Sequence, residues 1–345
     1  MANPPKHCVV TGGAGFIGSH LAEALLARGD RVSVIDDEST GSFENLAAVK
    51  EHPQLRCFKG SVADRDLVRR LVADADEVYH LAAAVGVALI AKAPIHTLET
   101  NIYLTALLLS ELAPLPDPSR SIGRPRRPVK LFLASSSEVY GKNPKPRWNE
   151  DEDLVFGATT RPRWSYGVSK AIDEFLALAY CRERGLAVVV ARFFNVVGPR
   201  QTGAYGMVLP RFVDAALAGG PLVVHDDGRQ VRCFAHVSDV VRAVLALMET
   251  PEAVGRVFNV GSDQPIAILD LARRVIAAVD PALEIAFQSY AEAYSEDFED
   301  CRSRVPDLSR VKQTIAYQPQ YKLDDVIREV VEWKRGPAET RTPWL

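Results

Sequence analysis

Tyr166 and Lys170 are the pair of side chains in this sequence whose types and spacing best suit proton transfer. They lie in Trp164-Ser165-Tyr166-Gly167-Val168-Ser169-Lys170, and on a helix that spacing puts both on one face, a turn apart. An ammonium close to a phenol lowers the phenol's pKa, because positive charge favours the phenolate. Such a tyrosine can take a proton from a sugar or alcohol hydroxyl near neutral pH. The same spacing also occurs on surface helices with no chemistry, so the pair needs company. Two other stretches supply it. One is the glycine-rich run Thr11-Gly12-Gly13-Ala14-Gly15-Phe16-Ile17-Gly18; the other is Ser135-Ser136-Ser137-Glu138-Val139-Tyr140-Gly141, three hydroxyls and a carboxylate in succession.

These residues need elements to hold them. Cys8-Val9-Val10 is a short buried-strand run, and Leu21, Leu25 and Leu26 follow the glycines at helical spacing. Gly13-x-Gly15-x-x-Gly18 between strand and helix permits a tight turn, close approach of backbone to a pyrophosphate, and tight helix–strand packing. The helix N-terminus then faces the phosphates. The next strand, Arg31 to Ile35, ends in Asp36-Asp37. An acid there binds the adenosine ribose hydroxyls and repels a 2′-phosphate, which selects NAD over NADP. Strand and helix patterns keep alternating: Leu55 to Lys59, Asp64 to Val72, Glu77 to Leu81, Pro94 to Leu112, Val129 to Ala134, then Ala187 to Ala191. The expected fold is α/β: a Rossmann-type, doubly wound parallel sheet with ligands at the C-terminal ends of the strands. The serine run falls at such an end. The division expected is a dinucleotide-binding domain over 1–195, a smaller α/β substrate domain over 196–335 partly interleaved with it, and a loose tail over 336–345. The Pro/Arg-rich stretch Pro114 to Pro128 reads as a surface excursion longer than usual connections.

The bulk properties narrow the class. With 345 residues and a net charge of −3, the chain can bury a large core and has no charge excess for gripping nucleic acid. No apolar run is long enough to span a membrane, and the first residues lack a signal-peptide core. Cys8, Cys57, Cys181, Cys233 and Cys301 are scattered, so they read as reduced thiols of a cytoplasmic protein with no metal site.

Taken together, Thr11-Gly12-x-x-Gly15-x-x-Gly18, Asp36, Asn101, Ser136, Tyr166-x-x-x-Lys170 and Asn195 stand in the order of the extended short-chain dehydrogenase/reductases that act on nucleotide sugars. The chain resembles that family along essentially its whole length. The resemblance implies a cofactor site of Gly12, Gly15, Phe16, Ile17, Gly18, Asp36, Asp37, Ser61, Val62, Leu81, Ala82, Ala83 and Asn101 with Tyr166 and Lys170. Ser61 is a departure, since many relatives carry an acid against the adenine there. It implies Ser136 and Tyr166 on the reacting hydroxyl, and Lys170 bridging the nicotinamide ribose while lowering the tyrosine's pKa. It further implies Ser137, Asn195, Arg211, Arg232, Asp300 and Arg304 around the substrate, and a homodimer built from the Pro94–Leu112 and Tyr166 helices.

Chemistry shared by the family oxidises the sugar's fourth carbon, with Tyr166 taking the proton and NAD the hydride. A 4-epimerase then returns the hydride to the other face, a 4,6-dehydratase expels the 6-hydroxyl, and a decarboxylase loses carbon dioxide from a β-keto uronate. Three patterns favour the last. Ser136-Ser137-Glu138 is similar to the run of UDP-glucuronate decarboxylases, and Gly157 through Arg163-Trp164-Ser165-Tyr166 resembles that of related uronate decarboxylases. Arg304-Val305-Pro306-Asp307 resembles their Arg-x-Pro-Asp/Ser run, with Asp300 matching an acid of apiose/xylose synthases. Val85 replaces a cysteine of those synthases, which argues against ring contraction. UDP-glucuronate decarboxylation to UDP-xylose or the 4-keto pentose is the expectation, with Glu138 positioning the sugar or a water beside the fifth carbon and Arg304 steering the carboxylate or supplying the returning proton. The alternatives are a 4-epimerase, a 4,6-dehydratase, and a non-catalytic NAD-binding sensor on the same fold.

Overall fold

The computed structural model describes residues 4–85, 93–113, 129–203, 206–293 and 299–336. The Pro/Arg-rich stretch and nearly all of the tail lie outside them. Seven parallel strands form the central sheet: β1 (His7–Thr11), β2 (Arg31–Asp36), β3 (Leu55–Lys59), β4 (Glu77–His80), β5 (Lys130–Ser136), β6 (Ala187–Phe193) and β11 (Arg256–Val260). Their order is β11-β6-β5-β4-β1-β2-β3. The chain starts at β1, winds outward to β3, and returns past β1 to β4. The crevice therefore opens between β1 and β4, where the winding reverses. Strands such as β1, with all five residues buried, read as continuous apolar runs because helices cover both faces.

On one face pack α1 (Phe16–Ala27) and α6 (Val237–Glu249), with Leu21, Leu25, Val240 and Val244 in one core. On the other lie α2 (Arg65–Val72), α3 (Pro94–Leu112) and α4 (Ser165–Arg184), joined by Leu71, Leu108, Leu131 and Val190. Asp64 caps α2 by accepting from the amides of Asp66 and Leu67, and Gly185, in the left-handed region at φ 69°, ends α4.

A smaller lobe stands over the C-terminal ends of these strands. It contains α5 (Val208–Leu217), α7 (Ile268–Val279) and α8 (Leu323–Arg335), and has its own core of Leu209, Phe212, Leu271 and Ile327. Its strands are β8 (Leu222–His225), β9 (Val231–Cys233), β12 (Pro265–Ala267), β13 (Ile285–Gln288) and β14 (Ser303–Arg304), while β7 (Val196–Val197) and β10 (Ala235–His236) form a separate parallel pair. β9 pairs antiparallel with β12 and parallel with β14, with Arg232 opposite Arg304. The chain passes back to the large sheet in between: α6 packs on α1 and β11 pairs with β6. Tyr140, Trp148, Phe194 and Cys301 form a bridging cluster that fixes the lobe against the sheet.

Candidate active site

One cavity of about 1310 Å³ runs from the glycine loop to the small lobe. The loop end is built by steric necessity. Gly12 has φ +69°, and a Cβ on Gly18 would sit 2.1 Å from the Gly12 carbonyl oxygen, so α1 can press onto the loop only without one. Gly15 precedes α1 with no side chain over the first-turn amides. That cradle fits a dinucleotide pyrophosphate. Asp36, at the end of β2, accepts from the amide of Ala14 at 2.9 Å and from that of Glu38 at 2.8 Å. Burial pushes its carboxyl up, and those two hydrogen bonds oppose the rise. It both shapes the loop and faces the cavity.

The expected cofactor residues Gly12, Gly15, Phe16, Ile17, Gly18, Asp36, Asp37, Ser61, Val62, Leu81, Ala82 and Ala83 all line the cavity. Asn101 stands behind the lining residues rather than among them. It is buried on α3, where its oxygen accepts from Ala84 N at 2.8 Å and its nitrogen donates to Ser169 at 3.0 Å. Packing against α4 draws it inward, and there it ties the segment after β4 to the helix that carries Tyr166.

Tyr166 and Lys170 occupy the first turns of α4 and face the cavity. Ser136, the last residue of β5, accepts from Glu138 N at 3.2 Å and hydrogen-bonds the Tyr166 phenol. Lys170 has a partner besides the phenol: its ammonium is bound by the buried carboxylate of Asp173 at 2.9 Å. The phenol is held well above its usual range by burial first and by the charge of Glu138 next, with Ser136 and Arg304 opposing. Asp173, one turn on, captures the ammonium. Behind it Thr105 touches Asp173 and bonds His80 Nε2 at 3.1 Å, and His80 Nδ1 bonds Thr11 Oγ1 at 2.7 Å. His80 is neutral, its pKa lowered to about 3 by burial and by Lys170. The Lys-x-x-Asp spacing was present in the sequence and signals this pair.

The small-lobe end holds buried charges. Arg163, just before α4, grips Glu138 with two nitrogens at 2.7 and 3.1 Å and reaches Asp300 at 3.3 Å. Arg304 meets Glu138 at 2.8 Å, and Arg232 meets Asp300 at 2.8 Å. Burial would raise the Glu138 carboxyl, but the two guanidiniums overcome it and leave it far below the usual carboxylate range. Asp300 is likewise lowered against burial, by Arg232 and Arg163. Both acids are ionised. Ser137, Asn195, Arg211, Arg232, Asp300 and Arg304 line this end of the cavity. Asn195 donates to the Cys233 carbonyl at 2.9 Å, and Arg211 bonds His225 at 3.0 Å. His225 is pushed down to about 4 by burial and Arg211, and stays neutral. Arg163 carried a place in a sequence pattern but no role; its partners lie 25 and 137 residues away, so nothing local marked it.

The model of the NAD dependent epimerase/dehydratase family matches residues 8–261. A UDP-N-acetyl-alpha-D-glucosaminuronate decarboxylase of Bacillus cytotoxicus is 36% identical over 335 residues, covering 96% of this chain and 98% of its own. UDP-glucuronic acid decarboxylase 1 of Arabidopsis thaliana is 33% identical, over 94% of this chain and 68% of its own. Among solved structures, the UDP-N-acetylglucosamine 4-epimerase of Methanobrevibacter ruminantium superposes with a TM-score of 0.83 at 29% identity, over 96% of this chain and 99% of its own. A UDP-glucuronic acid 4-epimerase variant from Bacillus cereus, crystallised with NAD, gives 0.80 at 26%, over 95% and 98%.

Proposed function

The chain belongs to the NAD dependent epimerase/dehydratase family, and from that premise we propose that it decarboxylates a UDP-hexuronate, UDP-glucuronate first among them, through a 4-keto intermediate. It is an NAD-dependent enzyme. When bound, NAD supplies the hydride acceptor. The chain's own groups do the rest. Gly12, Gly15, Gly18 and Asp36 hold the dinucleotide. Ser136 and Tyr166 meet the sugar's 4-hydroxyl, and the phenolate takes its proton. The resulting ketone stands β to the uronate carboxylate, so carbon–carbon cleavage needs no base at the fifth carbon. Arg304 faces that carboxylate and Glu138 holds the sugar. Ser137, Asn195, Arg211, Arg232 and Asp300 surround the rest of the substrate.

The observation that carries this reading is the cluster of three buried guanidiniums against two half-buried carboxylates around Glu138. One positive charge in excess suits an anionic ligand, and Arg304, which shares Glu138 with Arg163, is the cation placed for a uronate carboxylate. The decarboxylases among the relatives support it. The 36% identical relative favours a 2-acetamido uronate as the second substrate to try. Incubation with NAD and each UDP-uronate, following carbon dioxide and the UDP-pentose, is the test. Conversion to UDP-galacturonate without carbon dioxide would make it an epimerase. Turnover of a neutral nucleotide hexose to a 4-keto-6-deoxy sugar would make it a dehydratase. Unchanged biological activity of Tyr166→Phe would favour a sensor. Whether the ketone is reduced before release is read from the same product analysis.

The proposal extends to a cytoplasmic homodimer. All five cysteines are unpaired, and no described helix is long and apolar enough to cross a membrane. Ile95 and Tyr103 on α3 and Phe175 on α4 are exposed apolar side chains on two helices that pack together.

A further inference from the structure

Glu138 is bound by two arginines in unequal ways. Arg163 takes both of its oxygens, at 2.7 and 3.1 Å, in a fork. Arg304 takes only Oε1, at 2.8 Å, an oxygen Arg163 already holds. Arg304, like Arg163, is 6% exposed, lines the cavity and has a buried Nε with no hydrogen-bond partner among the described residues, so the difference between them lies in their hold on Glu138 and Asp300. Arg163 has a second hold on the same assembly through Asp300, whose other oxygen is bound by Arg232 at 2.8 Å and by the Tyr290 hydroxyl at 3.2 Å. Five charged groups thus form one connected cluster, in which Arg163 is the link between the two acids.

We propose that Arg163 is a positioning residue that makes the site selective for uronates: by satisfying both oxygens of Glu138 and anchoring Asp300, it leaves Arg304 free to move its contact from Glu138 to the substrate's carboxylate. This rests on the uronate reading of the site. The physical reason is a difference in exchange. With Arg163 in place, Glu138 losing Arg304 still has two charge-assisted hydrogen bonds, so an incoming carboxylate displaces one contact and leaves no buried charge unpaired. Without Arg163, Arg304 is the remaining partner of a half-buried carboxylate. Glu138 then competes with the uronate for it, and either choice strands an anion. A neutral sugar asks nothing of Arg304, and its affinity is untouched by the same change. Arginine is required because a lysine ammonium cannot span both carboxylate oxygens and Asp300 together.

The test is a ratio of affinities. Full-length protein loaded with NADH, so that no oxidation can begin, is titrated calorimetrically with UDP-glucuronate and with UDP-glucose. The expected result for Arg163→Gln is a loss of about tenfold in UDP-glucuronate affinity, the size of one charge-assisted hydrogen bond, with UDP-glucose within about twofold. Arg163→Lys, which keeps the charge, falls between and gives the same ratio test if the glutamine variant does not fold. Equal losses for both ligands mean a merely structural role and overturn the proposal, as does no loss for either. If the unaltered protein itself shows no preference for the uronate, the uronate reading fails, and the part given to Arg163 falls with it.

Discussion

At the scale of single residues, the site is governed by where buried charges find partners. Tyr166 lies among Glu138 and Asp173, which hold its phenol up after burial, and Arg304 and Ser136, which oppose them. A raised pKa means that the protonated phenol persists to higher pH, so turnover rises with pH as the phenol ionises. Asp173→Asn removes one of the negative charges and frees Lys170, and both changes favour the phenolate. The acid limb of the kcat/KM profile is therefore expected to move down by about one pH unit, the scale of one charge at close range in a partly buried site. An unmoved limb, or one moved upward, would show that Asp173 does not set the ionisation of the phenol. Tyr166→Phe removes the proton acceptor itself. Turnover is expected to fall by about 10²–10⁴-fold, with bound NAD content unchanged, checked by product formation and by absorbance of the purified protein.

At the scale of elements, the reason some residues were legible and others were not is sequence distance. The glycine loop, β2 and Asp36 act over short, ordered spacings, so their roles could be read from the chain. Lys170 and Asp173 are also local, yet the sequence reading paired Lys170 with the phenol, because nothing in one dimension ranks two neighbours of one ammonium. Burial decides it: the carboxylate of Asp173, fully enclosed, requires a cation. Asn101 could be placed on its helix but not turned inward without knowing that α3 packs on α4. Arg163 and Asp300 become neighbours only when the small lobe settles on the sheet. The loop offers a sharp check on element packing. Gly18→Ala puts a methyl group against backbone that cannot yield, so α1 must shift from the loop. We expect a loss of stability of about 1–3 kcal/mol in denaturant unfolding, together with a loss of NAD affinity of at least about tenfold. Normal NAD affinity would mean that the cradle tolerates displacement of α1.

At the scale of the whole molecule, the question is what covers α3 and α4. Their inner faces close one core of the sheet, through Leu104, Leu107, Leu108 and Ala177. Their outer faces carry Ile95 at 71% exposure, Tyr103 at 59% and Phe175 at 68%. Ile95 and Tyr103 are eight apart on α3, hence on one stripe, and α4 packs beside it. Large apolar side chains gathered on two adjacent helices mark a contact surface more often than an idle one. A second copy related by a two-fold axis would match stripe to stripe and make a four-helix contact, the simplest closed arrangement for such a patch. Tyr103 also lines the cavity, so the contact would brace the wall that holds cofactor and substrate. Light scattering should then give about twice the 37.8 kDa of one chain. Phe175→Glu, a charge placed on the α4 side of this surface, should give the single-chain mass at micromolar concentration while leaving the circular dichroism of the folded chain unchanged. A native protein that runs at the mass of one chain would leave α3 and α4 as an outer face and remove the dimer from this account.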